Sequence, residues 1–209
     1  NSASIKINKP TVVEPGNVMI PAIHHGSCNN GPTINPPNGW TLINNTSNQG
    51  TGCGSSNTTI QLATFYKVAT NVEPLAYTFT GNSTNQAYVG GIVAYSNVNT
   101  VSPINANSNF GAQDACNNIV ANSVTTTASC TRLVGVFFCS VNSSMTNIVP
   151  PNSMTERVDV STTGNNPWGN ENLEMADELF STMGATGNKT AALTGCSSTG
   201  WVTGGQLIA

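Results

Sequence analysis

Apolar residues come along this chain in short runs, and clusters of Gly, Pro, Asn and Ser cut between them at intervals of roughly 8–15 residues. Two runs, GIVAY at 91–95 and LVGVFF at 133–138, are continuous, as in strands buried on both faces. Others alternate: Tyr66-Lys67-Val68 and Tyr77-Thr78-Phe79 read as half-buried strands. Pro36-Pro37 and Pro150-Pro151 cannot sit in a central ladder, because proline donates no hydrogen bond, so each pair marks the entry to a strand. Trp40 and Met154 follow them at matching places and are expected to anchor the core. The pattern predicts an all-β protein, a sandwich or a barrel.

The pattern also repeats. INPPNGWTLI at 34–43 returns as IVPPNSMTER at 148–157, an offset of 114. At that offset 4–8 falls on 118–122, 9–25 on 123–139, AYTFTG (76–81) on TAALTG (190–195), and YVGGIVAY (88–95) on VTGGQLIA (202–209). Between them, IQLATFYKV (60–68) meets LEMADELFS (173–181) at 113. An internal duplication is therefore expected, with pseudo-repeats at about 1–110 and 111–209. No linker-like shift in composition separates them, so residues 1–209 are read as one domain whose halves share one core. Residues 170–184 place Leu173, Ala176, Phe180 and Met183 on one helical face, but the repeat sets them opposite the strand-like 60–68, and strand is the reading adopted.

Charge is the anomaly in composition. Only 7% of residues are Asp, Glu, Lys or Arg, where about 25% is usual; Asn, Thr and Ser fill the polar positions. A net charge of −3 offers no basic footprint for nucleic acid. No apolar stretch reaches the roughly 18–20 residues that span a bilayer, so no membrane insertion is expected.

The six cysteines (Cys28, Cys53, Cys116, Cys130, Cys139, Cys196) lack the short paired spacing of a zinc site. An even count without that spacing points to disulfides and an oxidising compartment. Connectivity is open among 15 pairings; Cys28–Cys53, Cys116–Cys130 and Cys139–Cys196 are the expected set.

Candidate chemistry is thin. Neighbouring strand residues point to opposite faces, so His24 and His25 do not share a ligand and are expected to be architectural. TGCGSS (51–56) lacks the spacing of a nucleophile turn. The acids Glu171, Glu174, Asp177 and Glu178 form no EF-hand and read as a solvated face, while Glu14, Glu73, Asp114, Glu156 and Asp159 are scattered singly. A lysine–asparagine isopeptide bond is open to Lys6, Lys67 and Lys189. No catalytic residue, cofactor or metal ligand is assigned. Sequons at Asn44, Asn45, Asn57, Asn82, Asn142 and Asn188 are as many as about 30 asparagines yield by chance; Asn44, Asn57, Asn82 and Asn142 lie in expected loops, and Asn188 is a further candidate. Trp168, in the polar stretch NNPWGNEN, is the candidate for stacking on a sugar.

PPNGWTLI (36–43), FYKVA (65–69), EPLAYTFT (73–80), GGIVAYSNVNTVSPINA (90–106), PPNSMTERVDVS (150–161), GATG (184–187) and GWVTGGQLIA (200–209) together resemble a jelly-roll type β-sandwich module. That module recurs in secreted bacterial, archaeal and phage structural proteins. The resemblance implies a jelly-roll-like sandwich and a part in a larger surface or virion assembly. The cysteines and Asn-rich loops depart from its pattern.

The expectation is a non-enzymatic subunit of an extracellular filament or surface polymer that associates with itself. Its N-terminal strand (Ser4, Ile5, Lys6, Ile7, Asn8) is the candidate for exchange between subunits. The alternatives are a carbohydrate-binding adhesin module at the cell surface and a virion surface protein.

Overall fold

The computed structural model describes residues 4–27, 33–53, 56–81, 87–110, 118–141, 147–162, 170–195 and 202–209. Every regular element among them is a strand, and no helix is long and apolar enough to cross a membrane. The first half holds β1 (Ser4–Asn8), β2 (Val18–Ser27), β3 (Ile34–Asn35), β4 (Thr41–Cys53), β5 (Ser56–Val68), β6 (Ala76–Gly81) and β7 (Tyr88–Tyr95). The second holds β8 (Ile119–Ala121), β9 (Thr125–Thr126), β10 (Thr131–Val141), β11 (Asn147–Val149), β12 (Thr155–Ser161), β13 (Asn170–Phe180), β14 (Gly184–Ala185), β15 (Lys189–Thr194) and β16 (Val202–Ile208).

The strand orders repeat. In the first half a four-stranded sheet runs β4-β5-β2-β7 and a three-stranded sheet runs β1-β6-β3. In the second half the order β12-β13-β10-β16 repeats the four, and β8-β15-β11 repeats the three. There the two parts are linked into one folded-over sheet by a parallel bridge, Gly205 to Ala121. β9 and β14 add a two-residue ladder. A jelly roll has eight strands in two Greek keys; each half here is a sandwich of four strands against three.

Ladder registers test the duplication residue by residue. His24 opposes Leu62 in the first half and Phe138 opposes Leu173 in the second. With β2 and β10 related by the expected 114, β5 and β13 are related by 111 rather than the expected 113. With those offsets the bulges coincide as well. One falls between Leu42 and Asn44 and its counterpart between Glu156 and Val158, each adding a residue to the edge strand. Two close approaches also match, with β7 and β16 related by 115 rather than the expected 114, since His24 opposes Val89 and Phe138 opposes Gly204. A Cβ on Gly90 would lie 2.9 Å from Ile7 of β1, and one on Gly205 within 2.9 Å of the Val120–Ala121 backbone of β8. Glycine lets the first strand of each half cross there.

Among the described residues the buried apolar side chains form three clusters. Ile7, Trp40, Phe65, Tyr77 and Phe79 belong to the first half's own core, and Ile119, Leu133, Phe137, Ile148 and Met154 to the second's. Trp40 and Met154, both buried, are thus anchors of separate cores. The shared filling is the third cluster, where Val18, Ile20, Leu62 and Val93 meet Val134, Val136, Phe138, Leu173 and Met175 across a seam between the two four-stranded sheets. β10, and β7 over most of its length, are covered on both faces, which is why 91–95 and 133–138 read as continuous apolar runs.

Candidate functional site

Polar groups concentrate at the seam, and the alternation of β2 puts them there. His24 points into it and stacks on Phe138 at 4.3 Å; His25 points the other way, to Tyr88 at 4.9 Å. Both imidazoles are fully buried. The Nδ1 of His24 lies 3.0 Å from the Gln61 carbonyl oxygen, which only accepts, so that nitrogen carries a proton. Its Nε2 lies 2.7 Å from Glu171 Oε2 and 3.2 Å from Ser140 Oγ, and the Ser140 hydroxyl donates to Glu171 at 2.5 Å. Ser, His and Glu are together, yet a nucleophilic triad needs the acid on the imidazole nitrogen facing away from the serine. Here both groups crowd Nε2. The cluster is a buried hydrogen-bonded tie between the halves.

His25 donates through Nε2 to Gln61 Oε1 at 3.2 Å, and the Gln61 amide donates to Asn45. Burial, then the neighbouring His24, push His25 down to about 4, leaving it neutral at pH 7.

A second tie closes the other end of the seam. Asp177, only 1% exposed, accepts from Tyr95 Oη at 2.8 Å, from Arg157 Nε and Nη2 at 2.9 and 3.1 Å, and from Arg132 at 3.4 Å. Burial, then Asp177, raise the Tyr95 hydroxyl well above its ordinary range. Next to it a cleft of about 550 Å³ opens between the halves, lined among others by Val18, Tyr95, Asn97, Cys130 and Arg132.

A third group lies on the far face of β13. Glu174 is fully buried with neither carboxylate oxygen hydrogen-bonded, and its carboxylate lies within 4.8 Å of those of Glu156 and Asp159. Burial, then Glu156 and Asp159, push Glu174 up to about 9.

The acids therefore differ from the sequence reading. Glu171, Glu174 and Asp177 are buried rather than solvated, because β13 is an inner strand covered on both faces. Glu156 and Asp159, seemingly isolated, are brought to Glu174 by the bulge in β12. The signal in the sequence was Glu156 and Asp159 on the strand after a Pro-Pro entry whose twin carries Leu42 and Asn45.

Other predicted positions are placed as follows. Ser4, Ile5, Lys6, Ile7 and Asn8 form β1, which pairs antiparallel with β6 of its own half, with Ile7 buried. Asn44 donates through Nδ2 to Ser108 O and Asn109 Oδ1, so the atom a glycan would use is engaged; Asn188 is exposed, with Oδ1 accepting from Ser123 N. Lys67 and Lys189 pair with Glu73 and Glu178 at 2.6 and 2.5 Å, not with asparagine. Cys139 is buried in the second core, and Cys130 is an exposed free thiol. Its expected partner Cys116 lies outside the described residues, as do Cys28, Cys196, Asn82, Asn142, Trp168 and the side chains of Cys53 and Asn57.

In comparisons of the chain with protein-family models, with curated proteins and with solved structures, nothing matches.

Proposed function

We propose that the protein is a structural subunit of an extracellular assembly, a filament or surface polymer built from copies of itself. One observation carries this reading. β4 is an edge strand of 13 residues, TLINNTSNQGTGC, without a single charged side chain. Edge strands left open are ordinarily blunted by lysine, proline or inward charge, because their free N–H and C=O groups template pairing with another chain. β4 carries no lysine, proline or charge, and only two register irregularities, one at Ile43 and one between Gly50 and Cys53, interrupt its ladder. Leu42 on it is 53% exposed, and Asn45 and Ser47 also face outward. A surface this poor in charge also packs against itself with little repulsion. β1, paired at home with β6, is the second candidate joint: a copy's β1 would offer β6 the same ladder. The extracellular setting rests on the even cysteine count without zinc-site spacing, and the family resemblance points the same way.

The test is assembly state. Light scattering and negative-stain microscopy of purified protein should show polymers or concentration-dependent oligomers. Asn45→Lys with Ser47→Lys should return the protein to monomer if β4 is the joint, and deletion of residues 1–8 should do so if β1 is. A wild-type protein that stays monomeric at millimolar concentration would overturn the reading.

A further inference from the structure

Glu156, Asp159 and Glu174 stand within 4.8 Å of one another at the edge of the second half. On a regular strand, residues 156 and 159 would point to opposite faces. The bulge between Glu156 and Val158 resets the alternation: Glu156 opposes Ala176 and Asp159 opposes Glu174, so all three acids reach the same face. The fold does not require them. At the equivalent places the first half carries Leu42, Asn45 and Ala63, on the same ladder with the same bulge.

Glu174 is the decisive member. It is fully buried and aimed at the two exposed acids, and among the described residues neither of its oxygens has a hydrogen-bond donor. An ionised carboxylate without a partner is among the costliest groups to bury, and two more carboxylates alongside raise the cost. The chain has only six lysines and arginines to offer. Both arginines of the second half are committed to Asp177 on the opposite face, Lys189 to Glu178 and Lys67 to Glu73. Lys6 and Lys9 belong to the outer sheet and first loop of the other half.

We propose that Glu156, Asp159 and Glu174 bind a hard divalent cation, calcium in preference to magnesium. An all-oxygen carboxylate set selects this class over zinc or copper. Oxygens that share one calcium at about 2.3–2.6 Å lie at most about 5 Å apart, which is the spread seen here, whereas magnesium at about 2.0–2.1 Å requires a tighter octahedron. Exposure of Glu156 and Asp159 leaves the outer side open to water ligands. Bound there, the ion would clamp edge strand β12 to β13.

The experiment is calorimetric titration of CaCl2, and separately MgCl2 and MnCl2, into chelator-stripped full chain, with thermal unfolding followed in parallel. Wild type should bind one Ca2+ with Kd on the order of 10⁻⁴–10⁻³ M, the range of open extracellular sites, and its Tm should rise with added Ca2+. Asp159→Asn and Glu156→Gln change exposed residues and should fold normally while weakening binding at least tenfold. Glu174→Gln should abolish the Ca2+-dependent rise. Absence of heat and of any Tm change with all three cations would overturn the proposal, leaving a trio that merely holds a proton. So would a Ca2+ response that survives in both Asp159→Asn and Glu156→Gln. Neither outcome depends on whether the protein polymerises.

Discussion

The two halves are one plan written twice, and their differences are more informative than their likeness. At the seam, counterparts meet each other. His24 stacks on Phe138, its own equivalent, and Gly26 faces Ser140, where a Cβ would come within 2.8 Å of the serine oxygen. In the first half the position holds a titratable ring and in the second a hydrocarbon one, so the seam is fixed by unlike residues at like places. Charge follows the same division. Seven of the nine acids, Asp114 and the six from Glu156 to Glu178, lie in the second half. Ile43 becomes Arg157, Tyr66 becomes Asp177 and Ala63 becomes Glu174 on an unchanged ladder. Strand pairing and face alternation tolerate these exchanges, because a ladder is made by the backbone and its side chains need only a partner on the right face.

The strongest way to break this pairing is Phe138→Ala. It removes a fully buried ring that touches both His24 and Phe110 and should cost about 3–5 kcal/mol in urea unfolding. The equal-sized cut Phe79→Ala, in the first half's own core, is the control. If the seam is the weaker joint, only Phe138→Ala should split unfolding into two transitions.

Making the halves alike comes next. His24→Phe copies the second half's residue into the first but strands Glu171 without its partner, and should cost roughly 3 kcal/mol. His24→Phe with Glu171→Leu removes both polar groups and should recover most of that loss; an equal or greater loss would show the tie to be net stabilising.

Acid should act through the first half. Burial pushes the Glu73 carboxyl up, but the Lys67, Tyr77 and Thr70 hydrogen bonds outweigh it and carry it down to about 2. A depressed carboxylate contributes stability that is present above its ordinary 4.5 and lost as pH falls towards 2. His25, depressed to about 4, is protonated more readily when unfolded, so its share is lost earlier, as pH falls from 6.5 through 4. Glu174, pushed up to about 9, works the other way and gains stability as pH falls from 9 to 4.5, so the stages are read in Glu174→Gln, where the unfolding free energy against pH should fall in two steps of about 3 kcal/mol each. Glu73→Gln should erase only the lower stage.

The smallest effect separates two accounts of a cysteine. Cys130 sits at φ 55°, the left-handed region that its counterpart Gly16 occupies at φ 86°. As a free thiol it carries backbone strain, and Cys130→Gly should stabilise by roughly 0.5–1 kcal/mol. If Cys130 is instead bridged to Cys116, the same change should destabilise by about 2–5 kcal/mol. Non-reducing mass analysis gives the matching count of thiols.

Strand type and the repeat were legible in the residues themselves. Period-two alternation, the Pro-Pro entries and the 34–43 and 148–157 echo are local, and local patterns specify a strand wherever one face must be buried. The helical stripe at 170–184 misled only in part: Leu173 and Ala176, on one helical face, end on opposite faces of β13, in separate cores. That resolution needed the repeat. The register of β5 and β13 was beyond reach, since gapless matching tolerates a slip of two residues that leaves every face unchanged.

What the chain alone determined was a set of strands, their doubling and a surface nearly free of charge. Tertiary structure decided the rest: three cores where one was expected, two buried ties of His24 with Glu171 and of Asp177 with its arginines, and three acids gathered around one point. The reason is physical. A strand's own residues state which faces it has, but which face is covered depends on the sheet laid against it, and a carboxylate 15 residues from another becomes its neighbour only through the ladder that joins Asp159 to Glu174.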